Sequence, residues 1–339
     1  MSEAWLGRED LAWNILLAVE VAGPPTAEEL GRRLAALCEH QGWPAPAPVL
    51  EAADLDDLVE QLSDVRDAGP VSVARSDAGL VVRGHHAHVD GLGLLAVLRD
   101  MLGEDVFSSA GGVSGRSSRS TIATMAERLL EAVARPPAGI AGRPGDGAAH
   151  VDVFARTTVP RPVRTAEVAQ AAVGAVCARN EAHAARGTRV ALAIGVSLVG
   201  GHELRVGDDS GFLRLPGVER HDQAALTLAL ARAPLQVGGT ARSGAARRAG
   251  PLIRWASRVL AARLGSTLLV SHLGRVEARG VTGLAFYPLA GNGSGVSLGA
   301  ASVAGETVLT LRARRSEHAT SDVDDLLAAI ARRLDQDPA

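Results

Sequence analysis

Two hydrophobic periods alternate along this chain, and that alternation limits the fold more than any other feature. Leu11 to Val21 (LAWNILLAVEV) reads as a strand that Pro24 and Pro25 stop. Leu30, Leu34, Leu37 and Cys38 then follow at the i, i+4, i+7, i+8 spacing of one helix face. Thr26-Ala27-Glu28-Glu29 reads as a capping box at its start, and Gly42 as its stop. A second helix falls around Leu55 to Leu62. Val71 to Ala74 and Leu80 to Arg83 read as a strand pair joined by Ser76-Asp77-Ala78-Gly79, and Leu94, Leu95, Leu98, Met101 and Leu102 mark the next helix.

The second half repeats the pattern. Val151 to Thr158 reads as a strand, and Thr165 as the cap of a helix through Arg186, with Ala169, Val173, Val176 and Cys177 on one face. Val190 to Val199 is a buried-looking strand, Trp255 to Leu264 part of a helix, and Thr267 to Ser271 a short strand. Val296 to Val303 and Thr307 to Arg314 form a hairpin. In its second strand Leu309, Leu311 and Ala313 alternate with Thr310, Arg312 and Arg314, the pattern of a half-buried strand. A last helix has Ser321 as cap, Asp324 three residues on, and Val323, Leu327, Ile330 and Leu334 facing inward.

Residues 108–120 and 136–149 are rich in Gly, Ser and Pro and read as flexible loops around a helix from Thr121 to Arg135. At ~150 residues per domain, 339 residues suggest two units. We divide them into an N-terminal lobe at 1–135, a flexible linker at 136–150 and a C-terminal lobe at 151–339.

Composition narrows the chemistry. The 35 basic residues are all Arg, which excludes a Schiff-base lysine or a P-loop lysine, and a net charge of −3 gives no basic excess for nucleic acid. Four Trp, four Phe and one Tyr leave a core of Leu, Val, Ile and Ala. No apolar run approaches the ~20 residues of a membrane helix, and the N-terminus shows no signal-peptide pattern, so a soluble, cytoplasmic protein is expected. Cys38 and Cys177 are too few for a disulfide framework and read as small core hydrophobes.

The polar cluster His85-His86-Ala87-His88-Val89-Asp90-Gly91 falls between a strand and an amphipathic helix, where a backbone turn exposes side chains. A neutral imidazole there is suited to take a proton at neutral pH. Asp90 can fold back to fix the turn or pair with an Arg, and Gly91 permits an approach that a Cβ would block. Two other readings compete: structural histidines in a strand-end turn, and a metal site of His86, His88 and Asp90.

These seven residues match in full the HHxxxDG motif, and in this the chain resembles the chloramphenicol-acetyltransferase-like superfamily. That group includes condensation domains of nonribosomal peptide synthetases, wax ester synthase-type enzymes and polyketide-associated acyltransferases. The resemblance continues in order. The helix at 165–186 followed by VALAIGVSLVGG is similar to the family's second-lobe helix and PVSLR-like strand. Gly207 to Phe212 resembles its GNxxG-type turn, Thr267 to Val276 its SNxGxx strand, and Gly291 to Val303 its NGSGVSLG-type hairpin. Two positions depart. Val199 stands where Arg often ends PVSL, leaving Arg205 or Arg275 as candidate partners of Asp90, and His272 stands where Asn is common.

The resemblance implies an α/β fold of two chloramphenicol-acetyltransferase-like lobes, each a mixed sheet with helices, around a central tunnel. It implies an acyltransferase that moves an acyl group from a pantetheine thioester, either coenzyme A or a phosphopantetheinyl carrier protein, to a hydroxyl or amine acceptor. The setting it implies is natural-product or specialised lipid biosynthesis. His86 would be the general base, with Asp90 and Gly91 shaping the site. His85, His88, Ser271 and Arg275 would support it. No tightly bound cofactor and no metal are expected. Rival readings are a condensation-like enzyme diverted to cyclisation, epimerisation or hydrolysis, and a noncatalytic carrier-binding homologue. Arg242 to Arg254 could meet a phosphate or an acidic carrier surface, or be a solvated helix face.

Overall fold

The computed structural model describes residues 13–66, 68–113, 116, 121–146, 151–185, 187–237, 265–290 and 295–336. The expected helix at 255–264, the Arg242–Arg254 stretch and the start of the 291–303 hairpin lie outside these residues.

The first lobe is a five-stranded sheet. β1 (Asn14–Val21) lies between β11 (Val281–Tyr287) and β4 (Gly79–His85), and β3 (Val71–Arg75) and β2 (Leu50–Glu51) complete it. All pairings are antiparallel except β2 with β3. Alternation along β1 sends Ile15, Leu17 and Val19 to one face, where α1 (Ala27–Gln41) and α3 (Gly91–Leu102) pack. Leu16 and Ala18 point to the other face, against α2 (Leu55–Ser63). The α1 face is the expected one, with Leu30, Leu34, Leu37 and Cys38 all buried, and Gly42 closes the helix in the left-handed conformation. The capping box is half formed. Thr26 accepts the Glu29 amide, but the Glu29 carboxylate turns forward to Arg33.

The second sheet runs β6 (Asp152–Val159), β13 (Glu306–Arg314), β12 (Val296–Val303), β10 (Leu268–Ala278), β7 (Ala191–Ser197), β8 (Ser210–Pro216), β9 (Leu235–Val237), with β5 (Val106–Ser108) paired to the far end of β10. β10 is parallel to β7 and β12, so the sheet is mixed. Its Leu192, Ile194, Val270, Leu298, Leu309 and Leu311 face α5 (Thr165–Ala182), α6 (Gln223–Arg232) and α7 (Thr320–Gln336). α4 (Thr121–Ala134) precedes the connection between the lobes.

Several expectations are corrected. Thr310, Arg312 and Arg314, read as the wet face of β13, are 0%, 1% and 3% exposed. The opposite face of this sheet is covered by the first lobe: Thr310 Oγ1 donates to the Phe286 carbonyl and Arg312 to that of Asn14. Thr165 is the first residue of α5 rather than its cap, and its hydroxyl bonds to His272 Nδ1 at 3.0 Å. Ser321 lies inside the first turn of α7, which starts at Thr320.

The division at residue 135 is crossed in both directions. β11 belongs to the first sheet although it falls late in the chain. α4, placed with the first lobe, is tied to the second by Arg128 to Gln236 and by Glu131 to Arg214 and Arg189. Residues 136–146, expected as a flexible connection, are hydrogen-bonded along their length. The amides of Ala138, Ala141, Arg143 and Gly145 donate to the Arg189 carbonyl, Asn180 Oδ1, Asp322 Oδ2 and the Arg315 carbonyl. No helix among the described residues is long and apolar enough to cross a membrane.

Candidate active site

β4 ends at His85, and the next residue still belongs to the ladder: the His86 amide donates to the Trp13 carbonyl at 2.7 Å. The chain then turns tightly, with the amides of His88 and Val89 both returning to the His85 carbonyl. His86 is half-buried in this turn, and its Nδ1 lies 3.2 Å from the Val89 carbonyl oxygen. A carbonyl only accepts, so that bond requires the proton on Nδ1 and leaves the lone pair of the neutral ring on Nε2. The turn therefore selects the tautomer whose second nitrogen is a base.

Asp90 caps α3. Its Oδ1 accepts the Gly93 amide at 2.7 Å, while its Oδ2 accepts the Asp209 amide at 3.2 Å and the Ser197 hydroxyl at 3.4 Å. Its own amide donates to the Gly207 carbonyl at 3.0 Å. The carboxyl is 4% exposed, and burial raises its pKa above the ordinary value. The Gly93 amide opposes the rise, Asp208 adds to it, and His86 and the Asp209 amide oppose it further. The expected Arg partner is replaced by these donors. Arg205 is exposed and makes a bidentate pair with Asp209 at 2.7 Å, and Arg275 is exposed on β10 with its amide bonded to Ser109 Oγ.

The space at Gly91 is taken by the first lobe's contact with β10 and β11. A Cβ there would lie 2.7 Å from Leu273 Cδ2 and 3.1 Å from Phe286 Cζ. At Gly93 it would lie 2.5 Å from the Gly207 carbonyl oxygen. Both glycines let α3 begin against the second lobe.

The remaining expected residues divide. His85 and His88 meet edge to face at 5.8 Å, and His88 continues to Trp43 at 5.9 Å. His88 therefore stacks outward while Asp90 turns into the helix cap, and no metal-binding group of three such side chains occurs among the described residues. Ser271 sits mid-strand between Gly195 and Gly299. It and Arg275 are not hydrogen-bonded to His86 or Asp90 among the described residues. His272, on the opposite face of β10 from Ser271, is held neutral: burial pushes its pKa down to about 4. Two cavities of about 510 and 530 Å³ are lined by other residues, around Glu20 and Arg156 and around Arg128 and Arg214. Sequence reasoning missed Trp13, Ser197 and Asp209; two of them act through backbone atoms, which leave no pattern.

No family model and no curated protein sequence matches this chain. Solved structures do. The first condensation domain of the calcium-dependent antibiotic synthetase, in complex with a substrate analogue, superposes with a TM-score of 0.60 at 15% identity, covering 95% of this chain and 91% of that one. A mutant starter condensation domain of rhizomide synthetase, in complex with C8-CoA, gives 0.56 at 15% identity over 98% and 91%. The condensation domain of the Monacolin K polyketide synthase gives 0.50 at 12% over 98% and 94%. The chain thus has the two-lobed α/β fold of condensation domains, which are members of the chloramphenicol-acetyltransferase-like fold.

Proposed function

We propose that this protein is a condensation-type acyltransferase that moves an acyl group from a pantetheine thioester to a hydroxyl or amine, with His86 as general base. The observation that carries the reading is the His86 Nδ1 bond to the Val89 carbonyl, which leaves Nε2 as the basic nitrogen of a half-buried ring. Nε2 takes the proton of the acceptor O–H or N–H as that atom attacks the thioester carbonyl carbon. The tetrahedral intermediate collapses with cleavage of the C–S bond, and the imidazolium returns its proton to the departing thiolate. Asp90 serves by holding the turn and α3 in register with the 207–209 segment.

Transfer is direct. Burial raises the thiol pKa of both Cys38 and Cys177, opposite to what a nucleophilic thiolate needs. Donor and acceptor then meet in a ternary complex. Coenzyme A is the donor we favour for a first test, because a structural neighbour is described with C8-CoA. Natural-product or specialised lipid assembly is the setting that fits such a reaction. The rival reading, in which the chain only binds a carrier protein, rests on the missing Arg at position 199; here Ser197 and the Asp209 amide donate to Asp90 in its place.

The test incubates the full chain with octanoyl-CoA and panels of amines and alcohols, following thiol release and product mass. His86→Ala should lower turnover roughly 10²- to 10⁴-fold with the fold intact. A well-folded His86→Ala protein of undiminished activity would overturn the mechanism.

A further inference from the structure

Between the two sheets lies a charged cluster that the proposed reaction does not use. Arg312 on β13 is 1% exposed, Arg314 3% and Asp152 on β6 8%. Arg312 Nε and Nη2 both reach Asp152 Oδ2 at 2.7 Å. Its Nη1 donates to the Asn14 carbonyl at 2.6 Å, and its plane lies 5.4 Å over the Phe154 ring. Replacing such a pair by apolar residues is often neutral or stabilising, so stability alone is a weak reason to bury it.

The strand ladder supplies a better reason. In an antiparallel pair, successive residues turn their backbone groups to opposite sides. Trp13 faces β4, where its carbonyl holds the His86 amide. Asn14, opposite His85, therefore faces away, towards β11. β11 has ended at Tyr287, opposite Leu16, two residues short of Asn14. Among the described residues the ladder has no donor for this carbonyl, and Arg312 provides one from the other lobe. The Asn14 side chain fixes the same residue to α2, donating to the carbonyls of Ser63 and Val65 at 3.0 and 2.7 Å.

We propose that Arg312 is a positioning residue for His86: it fixes the Asn14 carbonyl, and with it the adjacent Trp13 carbonyl that holds the histidine turn. A guanidinium is required because its fork reaches Asp152 and Asn14 together, which the single ammonium of a lysine cannot do. The inference deepens the transferase reading and rests on it for its catalytic consequence.

The test reads His86 itself. ¹⁵N-imidazole spectra of the full chain, with the His86 signals assigned by their loss in His86→Gln, report the ring tautomer. In the wild type His86 should show the Nδ1–H form. Arg312→Lys should remove that single-tautomer signature and lower kcat for octanoyl-CoA about 10- to 100-fold, with KM little changed. The double variant Arg312→Gln/Asp152→Asn leaves neither charge of that pair behind and should do the same. Leu311→Ala, on the same strand but facing the helices, should lower Tm and leave tautomer and kcat as they are. An unchanged His86 spectrum in both Arg312 variants, or an equal change in Leu311→Ala, would overturn the proposal. A wild type with the expected tautomer and no transferase activity would count against the enzyme reading alone.

Discussion

Asp90→Ala tests how the motif carboxylate is held. The substitution removes the N-cap of α3, which costs about 1 kcal/mol. It also strips the acceptor from the Asp209 amide and the Ser197 hydroxyl, and a buried donor left unmade costs about 1–3 kcal/mol. Relief from burying a carboxyl offsets part of the loss, so a net cost of about 2–4 kcal/mol is expected. Asp90→Asn keeps one oxygen for the Gly93 amide but turns an NH₂ towards two donors, and should cost about half as much. Urea titration of the three proteins at one pH gives the values. A loss below about 0.5 kcal/mol in Asp90→Ala, or equal losses in both variants, would refute the assignment.

The pH dependence adds a sign. Burial raises the Asp90 pKa, so the folded protein binds this proton more tightly than the unfolded chain. The resulting stabilisation is complete below the unfolded carboxyl value of about 3.9 and fades as pH rises through the higher folded value. The stability advantage of wild type over Asp90→Asn should therefore narrow as pH rises above about 4. A gap that widens over this range would mean that the amide donors outweigh burial.

Three further outcomes follow from other contacts. Gly91→Ala places a methyl 2.7 Å from Leu273 and should cost about 1–3 kcal/mol by overpacking, read as a lowered Tm. Intact-mass spectra after incubation with octanoyl-CoA and no acceptor should show no acyl adduct; a stable adduct, or ping-pong kinetics, would end the direct-transfer mechanism. Asp152→Asn leaves the buried Arg312 guanidinium without its carboxylate and should cost about 3–5 kcal/mol in urea unfolding, whereas a change within about 1 kcal/mol would show the cluster to be solvated.

Much of the fold was legible because apolar spacing reports which face of an element is buried. The α1 face, the β3–β4 pair and the helix after Gly91 all stand where the spacing puts them. The same spacing is silent on what lies across the other face. Arg312 and Arg314 alternate with Leu311 and Ala313 as surface residues would, and only the first lobe packed on that face makes them buried. Val281 to Tyr287 gave no expectation, since membership of a distant sheet is a long-range property. At the site, HHAHVDG marked the turn at the head of α3. Its supports did not show, because Trp13 contributes a carbonyl and Asp209 an amide, groups every residue carries. Val199 marks the missing Arg partner of Asp90, but not what stands in for it: the donors come from Ser197 and the loop after it.

The hop from β10 to β11 has a consequence for how such a chain can diversify. Eleven residues of β10 run in the second sheet, a two-residue turn follows, and β11 completes the edge of the first. A gene fragment ending near residue 135 would encode a first sheet with β1 exposed along one whole side, an open template for pairing with other chains. The halves are therefore poor candidates for recombination as separate modules, and their inheritance is linked. Sequence drift in β1 has to stay compatible with a strand encoded more than 250 residues later.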